Sequence, residues 1–134
     1  MAKISEIEGI GPAYASKLIA VGIKSVETFL KRSASKKGRA ELADITGLSE
    51  KLILEWANMA DLFRIKGVRT QYSELLEASG VDTVKELRNR RPDNLYQKMI
   101  EVNTEKKLVR QVPSLSQVTQ FVEQAKTLDP VITH

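Results

Sequence analysis

Apolar positions recur three and four residues apart along most of this chain, and nowhere do they alternate with period two for long enough to make a strand. The pattern predicts a short apolar turn over 4–8, then a helix over 12–21 with Tyr14, Leu18 and Val21 on one face and Gly22 as its stop. Ser25 is placed to cap a helix over 26–32. The next helix spans 37–45 and ends before Gly47. Ser49 caps another that reaches about residue 60, with Leu52, Ile53, Trp56 and Met59 facing inward. Residues 61–65 repeat the opening turn, and a helix over 70–79 stops at Gly80. Thr83-Val84-Lys85-Glu86 has the form of a capping box and starts a helix to Arg90. Pro92 breaks it, and Asp93 or Asn94 opens a segment to Val102. Residues 105–111 read as helical, and Pro113-Ser114 introduces a last helix to about Thr127. The fold class expected is all-α.

One junction carries more chemistry than the rest. Ile7-Glu8-Gly9-Ile10-Gly11-Pro12-Ala13 is an apolar turn, two glycines around one isoleucine, and a helix opened by proline. The glycines permit a sharp turn with positive φ and close backbone approach. Ile10 between them points inward and pins the turn to the core. Pro12 suits the first helical position, where an N–H would be unpaired anyway. Ala15 is small enough for two helices to approach. Such a junction presents backbone N–H groups to an outside anion. From Ile4 to Leu18 the pattern resembles the helix-hairpin-helix motif of DNA repair and recombination proteins. The resemblance implies that the N–H groups of Gly9, Gly11 and Ala13 contact a sugar-phosphate backbone without reading bases. It also makes the hairpin carbonyls candidates for a monovalent cation; no other cofactor is expected. Lys17 lies four residues after Ala13 on the same helix face. The plainer alternative is that the glycines only make a tight corner.

The chain also repeats itself. At an offset of 58, residues 7–29 align with 65–87 and seven of the 23 positions are identical: Ile7, Gly9, Tyr14, Leu18, Ala20, Gly22 and Val26. Chance would supply about one or two. The shared positions are those a fold needs, so a duplicated fold is expected, with copies over 1–60 and 61–128 packed as one pseudo-twofold unit and a flexible tail over 129–134. The second copy departs from the first at the turn: Arg69 replaces Gly11, Thr70 replaces Pro12 and Leu75 replaces Lys17. If position 69 needs positive φ, arginine there costs on the order of 1 kcal/mol; alternatively Thr70 caps a relaxed turn. Lys66 and Arg69 are placed to replace amide contacts with charge, or the second hairpin packs against the first and binds nothing.

The second half is similar to the family known as domain of unknown function 4332. The likeness is carried by Asp61-Leu62-Phe63-Arg64-Ile65-Lys66-Gly67-Val68, by residues 75–87, by Glu101-Val102-Asn103 and by Leu108-Val109-Arg110-Gln111-Val112-Pro113-Ser114. It extends over about residues 4–128. This resemblance implies tandem helix-hairpin-helix units and no particular biochemical role, so function rests on the hairpin.

Composition narrows the remaining choices. The 134 residues hold no cysteine, which excludes disulfides and thiolate metal sites. Only 5% are aromatic, so the core is aliphatic. No apolar run approaches the roughly 20 residues of a membrane helix, so no membrane partner is expected. The N-terminus has no signal-peptide apolar region, and a cytoplasmic location is expected. No paired carboxylates, nucleophile–histidine pair or phosphate loop is present, which argues against an enzyme. Trp56 sits in an apolar stripe and belongs to the core; His134 is alone at the end of the chain. No metal site is expected.

Net charge is +4, from 21 basic and 17 acidic residues, which is weak for a nucleic-acid binder and leaves the case to local clusters. The densest is 31–39, with Lys31, Arg32, Lys36, Lys37 and Arg39, no acid, and Ser33-Ala34-Ser35 as a mobile linker within it. Arg88, Arg90 and Arg91 form a second cluster, and Lys106, Lys107 and Arg110 a third. Cations at helix C-termini have a structural explanation in the macrodipole. The candidate nucleic-acid-binding set is Gly9, Ile10, Gly11 and Ala13 at the first hairpin, Lys17 and Lys24 beside it, the five cations of 31–39, and Lys66, Gly67 and Arg69 at the second. Glu6 and Glu8, close to the first hairpin, weigh against an anion there. A helical protein-interaction or assembly module, with a protein partner instead of nucleic acid, is the competing expectation.

Overall fold

Serine and threonine set most of the helix starts. Ser25, Ser35, Ser49, Thr83 and Ser114 each accept a hydrogen bond from the backbone N–H three residues on, at 3.0–3.3 Å. The computed structural model describes residues 2–134 and has a 3-10 turn at Ile4–Glu6, then α1 (Pro12–Ala20), α2 (Val26–Ser33), α3 (Lys36–Thr46), α4 (Glu50–Leu62), α5 (Thr70–Ala78), α6 (Val84–Leu87), α7 (Pro92–Lys106) and α8 (Leu115–Thr127). No strand is present among the described residues; Lys3 and Ser25 form an isolated bridge.

Among the helices and their joints, four segments differ from the expectation for a local reason. Residues 31–39 are a corner between two helices, with Ser35 capping α3, and not a mobile loop. The Thr83 box is half-formed. Thr83 accepts from Glu86 N–H, but the Glu86 carboxylate turns forward to Arg90 at 2.9 Å, and α6 stops at Leu87. α7 begins at Pro92 and runs through to Lys106, where Lys107 at φ 53° ends it. Residues 107–114 are then irregular and not a helix, because Asn103 holds both the N–H and the carbonyl of Val109, at 2.9 and 3.0 Å.

The chain divides into two compact units, one reaching to Asp61 and including Val131–His134, the other Leu62–Pro130. In the first unit the 3-10 turn packs on α1 and α2, and α2 on α3. Ile4, Ile7, Leu18, Ile23, Phe29, Leu42, Ile53 and Trp56 are buried there. The last residues, read from sequence as loose, are tied down: Thr133 N–H donates to the Ala34 carbonyl at 2.9 Å, and Arg39 donates to the Thr133 carbonyl. In the second unit α7 packs on α5 and α8, and α8 on α6, around Leu75, Leu76, Val84, Leu87, Met99, Val118, Phe121 and Val122.

At the 58-residue offset several backbone bonds of the turns recur. Ile10 N–H to Ile7 O pairs with Val68 N–H to Ile65 O, both 3.1 Å. Ala15 to Gly11 at 2.9 Å pairs with Ser73 to Arg69 at 2.8 Å, and Ile23 to Leu18 at 3.0 Å with Val81 to Leu76 at 2.9 Å. The likeness extends past the aligned sequence. Ile53, Trp56, Ala57 and Ala60 of α4 are buried at the spacing of Val118, Phe121, Val122 and Ala125 of α8.

The α2–α3 corner is as close as a peptide allows. A β-carbon on Gly38 would lie 2.2 Å from the Arg32 carbonyl oxygen. Gly38→Ala gains about 1 kcal/mol of helix propensity and loses about 1–3 kcal/mol to overpacking against a backbone atom that cannot rotate away. We expect a net fall in the urea midpoint followed by circular dichroism; an unchanged or raised midpoint would show that the corner opens freely.

Candidate nucleic-acid interface

The geometry of the first turn begins at Gly9, with φ of 91°. That region suits glycine, and the equivalent Gly67 has φ 94°. Gly11 is different. It is the N-cap of α1 with φ −81° and ψ −177°, ordinary extended backbone, and a β-carbon there would meet nothing within 4 Å. Arg69, its counterpart, is equally extended at φ −131° and ψ −159°. The strain considered for Arg69 is therefore absent, and only the first glycine of each turn is conformationally required.

The turn then leaves its donors bare. Gly11 has no side chain to cap α1, and Pro12 opens the helix. The first helical bond is Ala15 N–H to Gly11 O. Among the described residues no acceptor pairs with the N–H of Gly9, Gly11 or Ala13. Gly9, Gly11, Pro12 and Ala13 are exposed, while Ile10 is buried and anchors the turn. Beneath Gly9 lies Trp56, whose indole Nε1 is 3.3 Å from the place a β-carbon would take. Tyr14 and Phe29 meet the indole edge-on, with centroids 5.1 and 6.5 Å away. Glu6, near the turn, gives its carboxylate to Lys3 N–H at 2.8 Å; Glu8 is exposed.

The second turn has the same backbone and different surroundings. Phe121 of α8 lies 3.2 Å from the β-position of Gly67, with Tyr72 tilted against it at 6.3 Å. Gln124, one turn further along α8, accepts from Lys66 N–H at 2.9 Å and donates to Lys66 O at 3.3 Å. Arg69 folds back, with its guanidinium 5.9 Å over the Phe63 ring and a bond to Val68 O at 3.3 Å. The protein's own side chains thus occupy part of this turn, and they come from α8.

The basic residues sort into two groups. Lys17 and Lys24 are exposed on the first unit, as are Lys31 and Arg32 in the last turn of α2 and Lys36 and Lys37 in the first turn of α3. Arg39 is not with them. It is 4% exposed and donates to the Ser33 and Ala34 carbonyls at 2.9 and 3.0 Å, closing the C-terminal end of α2. Burial lowers its pKa below the ordinary arginine value, with Glu50 pulling the other way. Arg39 therefore leaves the candidate set as a structural residue. Arg90 is likewise turned onto Glu86 and the Gly80 carbonyl, and Arg91 onto Asp93 at 3.2 Å. In the second unit Lys107 and Arg110 border an open depression with Gln71 and Asn103.

Sequence reasoning did not find the aromatic rings under the glycines or the Gln124 clamp. The signal was present in the shared apolar spacing of α4 and α8. Those helices match at an offset of 65, so the alignment at 58 cannot reach them.

The described residues thus form an all-α protein with two glycine turns, the second of them held at Lys66 by Gln124. The chain belongs to the family described as "Domain of unknown function (DUF4332)", whose model matches residues 8–128. Neither a curated protein nor a solved structure is matched by the chain. No helix among the described residues is long and apolar enough to cross a membrane.

The two glycines should respond differently to alanine. Gly9→Ala forces a side chain into positive φ and against the indole, and we expect a loss of about 1–2 kcal/mol. Gly11→Ala sits in open space at allowed angles and should stay within about 0.5 kcal/mol of the parent. Thermal or urea unfolding of both variants checks this; equal losses would place the constraint at both positions.

Proposed function

We propose that the protein is a non-catalytic module that binds nucleic acid, DNA foremost, by its phosphate backbone and without regard to sequence. The first turn acts as a helix-hairpin-helix site. The observation that carries this reading is the bare start of α1: exposed N–H groups of Gly9, Gly11 and Ala13 with no acceptor in the protein. Five other helices start from a serine or threonine cap, at Ser25, Ser35, Ser49, Thr83 and Ser114, while α5 and α7 start from Arg69 and Arg91 without one. Where α1 starts the chain supplies glycine. Backbone donors at a helix N-terminus favour an anion through both the N–H groups and the macrodipole. Such contacts position a nucleic acid and do not distinguish bases.

Charge from Lys17, Lys24, Lys31, Arg32, Lys36 and Lys37 supports the same partner. The second turn contributes less, since Gln124 and Phe121 stand against it. The carbonyls of the first turn remain candidates for a monovalent cation bridging to the phosphate.

Affinity for a labelled duplex should fall steeply between two salt concentrations, with a log–log slope of about −0.9 per phosphate neutralised. Gly11→Asp offers a sharper test. Aspartate at an extended N-cap accepts from the N–H groups of its own helix and should stabilise α1 by on the order of a few tenths of a kcal/mol. The same carboxylate fills and charges the site, so duplex binding should be lost while unfolding shifts to higher temperature. Undiminished binding by this variant, or no duplex binding by the parent at low salt, would defeat the proposal. A concentration-dependent dimer in place of binding would favour the assembly reading.

A further inference from the structure

We infer that the indole N–H of Trp56 is an additional donor to the anion held at the first turn, with a phosphate oxygen as its acceptor. The inference rests on the function just proposed and names a side chain of the same site. Trp56 is 2% exposed, held by Tyr14 and Phe29. It turns its nitrogen, and not a hydrocarbon edge, toward Gly9, 3.3 Å from the β-position. No acceptor in the protein pairs with that N–H among the described residues. The sealed side-chain polar atom that lacks a partner is Asn58 Oδ1, so the unpartnered indole nitrogen keeps access to the surface.

Leaving a donor unpaired in an otherwise buried residue costs free energy that an apolar ring of similar shape would avoid. The second unit has that ring. Phe121 fills the corresponding place under Gly67 and packs on Tyr72, with no donor to satisfy. Packing beneath the glycine therefore does not require an N–H. What tryptophan adds is one neutral donor beside the free amides of Gly9, Gly11 and Ala13. A phosphodiester has two non-bridging oxygens with lone pairs enough for all of them, and the indole N–H, which donates only, suits an anion. The same comparison assigns the binding role to the first turn. There the ring brings a donor; in the second the ring brings none, and Gln124 holds the main chain of Lys66.

The chain has a single tryptophan, so its indole gives one side-chain resonance in a proton–nitrogen correlation spectrum. We would titrate the full chain with a short DNA duplex at low salt. The indole resonance is expected to move along the same binding curve as the Gly9, Gly11 and Ala13 amides. Trp56→Phe, which recreates the ring of the second turn, is expected to fold and to bind roughly ten-fold more weakly. An indole resonance that stays in place while the glycine amides move, or Trp56→Phe binding at parental strength, would overturn this inference and leave the proposed function standing. If none of these resonances moves, both fall. Should Trp56→Phe lose its helical dichroism, the resonance of the parent protein decides alone.

Discussion

Each unit is organised by a glycine seated on an aromatic ring. The turn after the first apolar segment closes only with positive φ at Gly9 or Gly67, which other residues adopt at a cost on the order of 1 kcal/mol. The missing β-carbon also lets the ring approach to 3.3 Å under Gly9 and 3.2 Å under Gly67. The ring in turn receives a tyrosine from the helix that leaves the turn, Tyr14 on Trp56 and Tyr72 on Phe121. Backbone conformation, helix direction and core contact are thus one constraint. A larger residue at the glycine would disturb all three together.

Two turns with one backbone differ in what reaches their donors. A helix start has N–H groups that must find acceptors in the protein, in water or in a ligand. The chain meets that demand with serine and threonine at most of its helices, and with Gln124 at the main chain of Lys66. At α1 it supplies only Gly11 and Pro12, neither of which has a side-chain acceptor. Likeness of fold and unlikeness of chemistry therefore coexist: buried apolar positions hold the fold, and the differences fall on the exposed edge of the turn.

Charge follows the same division between interior demand and exterior surplus. Arg39 is drawn inside because the carbonyls ending α2 and the Thr133 carbonyl need donors, and a guanidinium can serve several at once. Arg69 and Arg90 also turn onto the protein. Lys31 and Arg32 stand at the C-terminal end of α2, where the macrodipole favours them. Lys36 and Lys37 stand at the N-terminal end of α3, where it does not. Lys36 and Lys37 are therefore exposed cations that their own helix end does not call for.

By itself the sequence determined the all-α class, the glycine turns and nearly every helix start, because these depend on neighbours three or four residues away. Gly9, Ile10, Ser25, Ser49 and Ser114 behave as their local pattern requires. Tertiary structure alone decided which donors and charges were left over. Burial turned Arg39 from a surface cation into a helix cap, Asn103 replaced a helix over 105–111 with a clamped loop, and Gln124 reached back to Lys66. It also set the indole of Trp56 beneath Gly9 and the ring of Phe121 beneath Gly67. The contacts of Arg39 and Asn103 span five or six residues outside the helical period, and those of Gln124, Trp56 and Phe121 join segments far apart in the chain, so none follows from local periodicity alone.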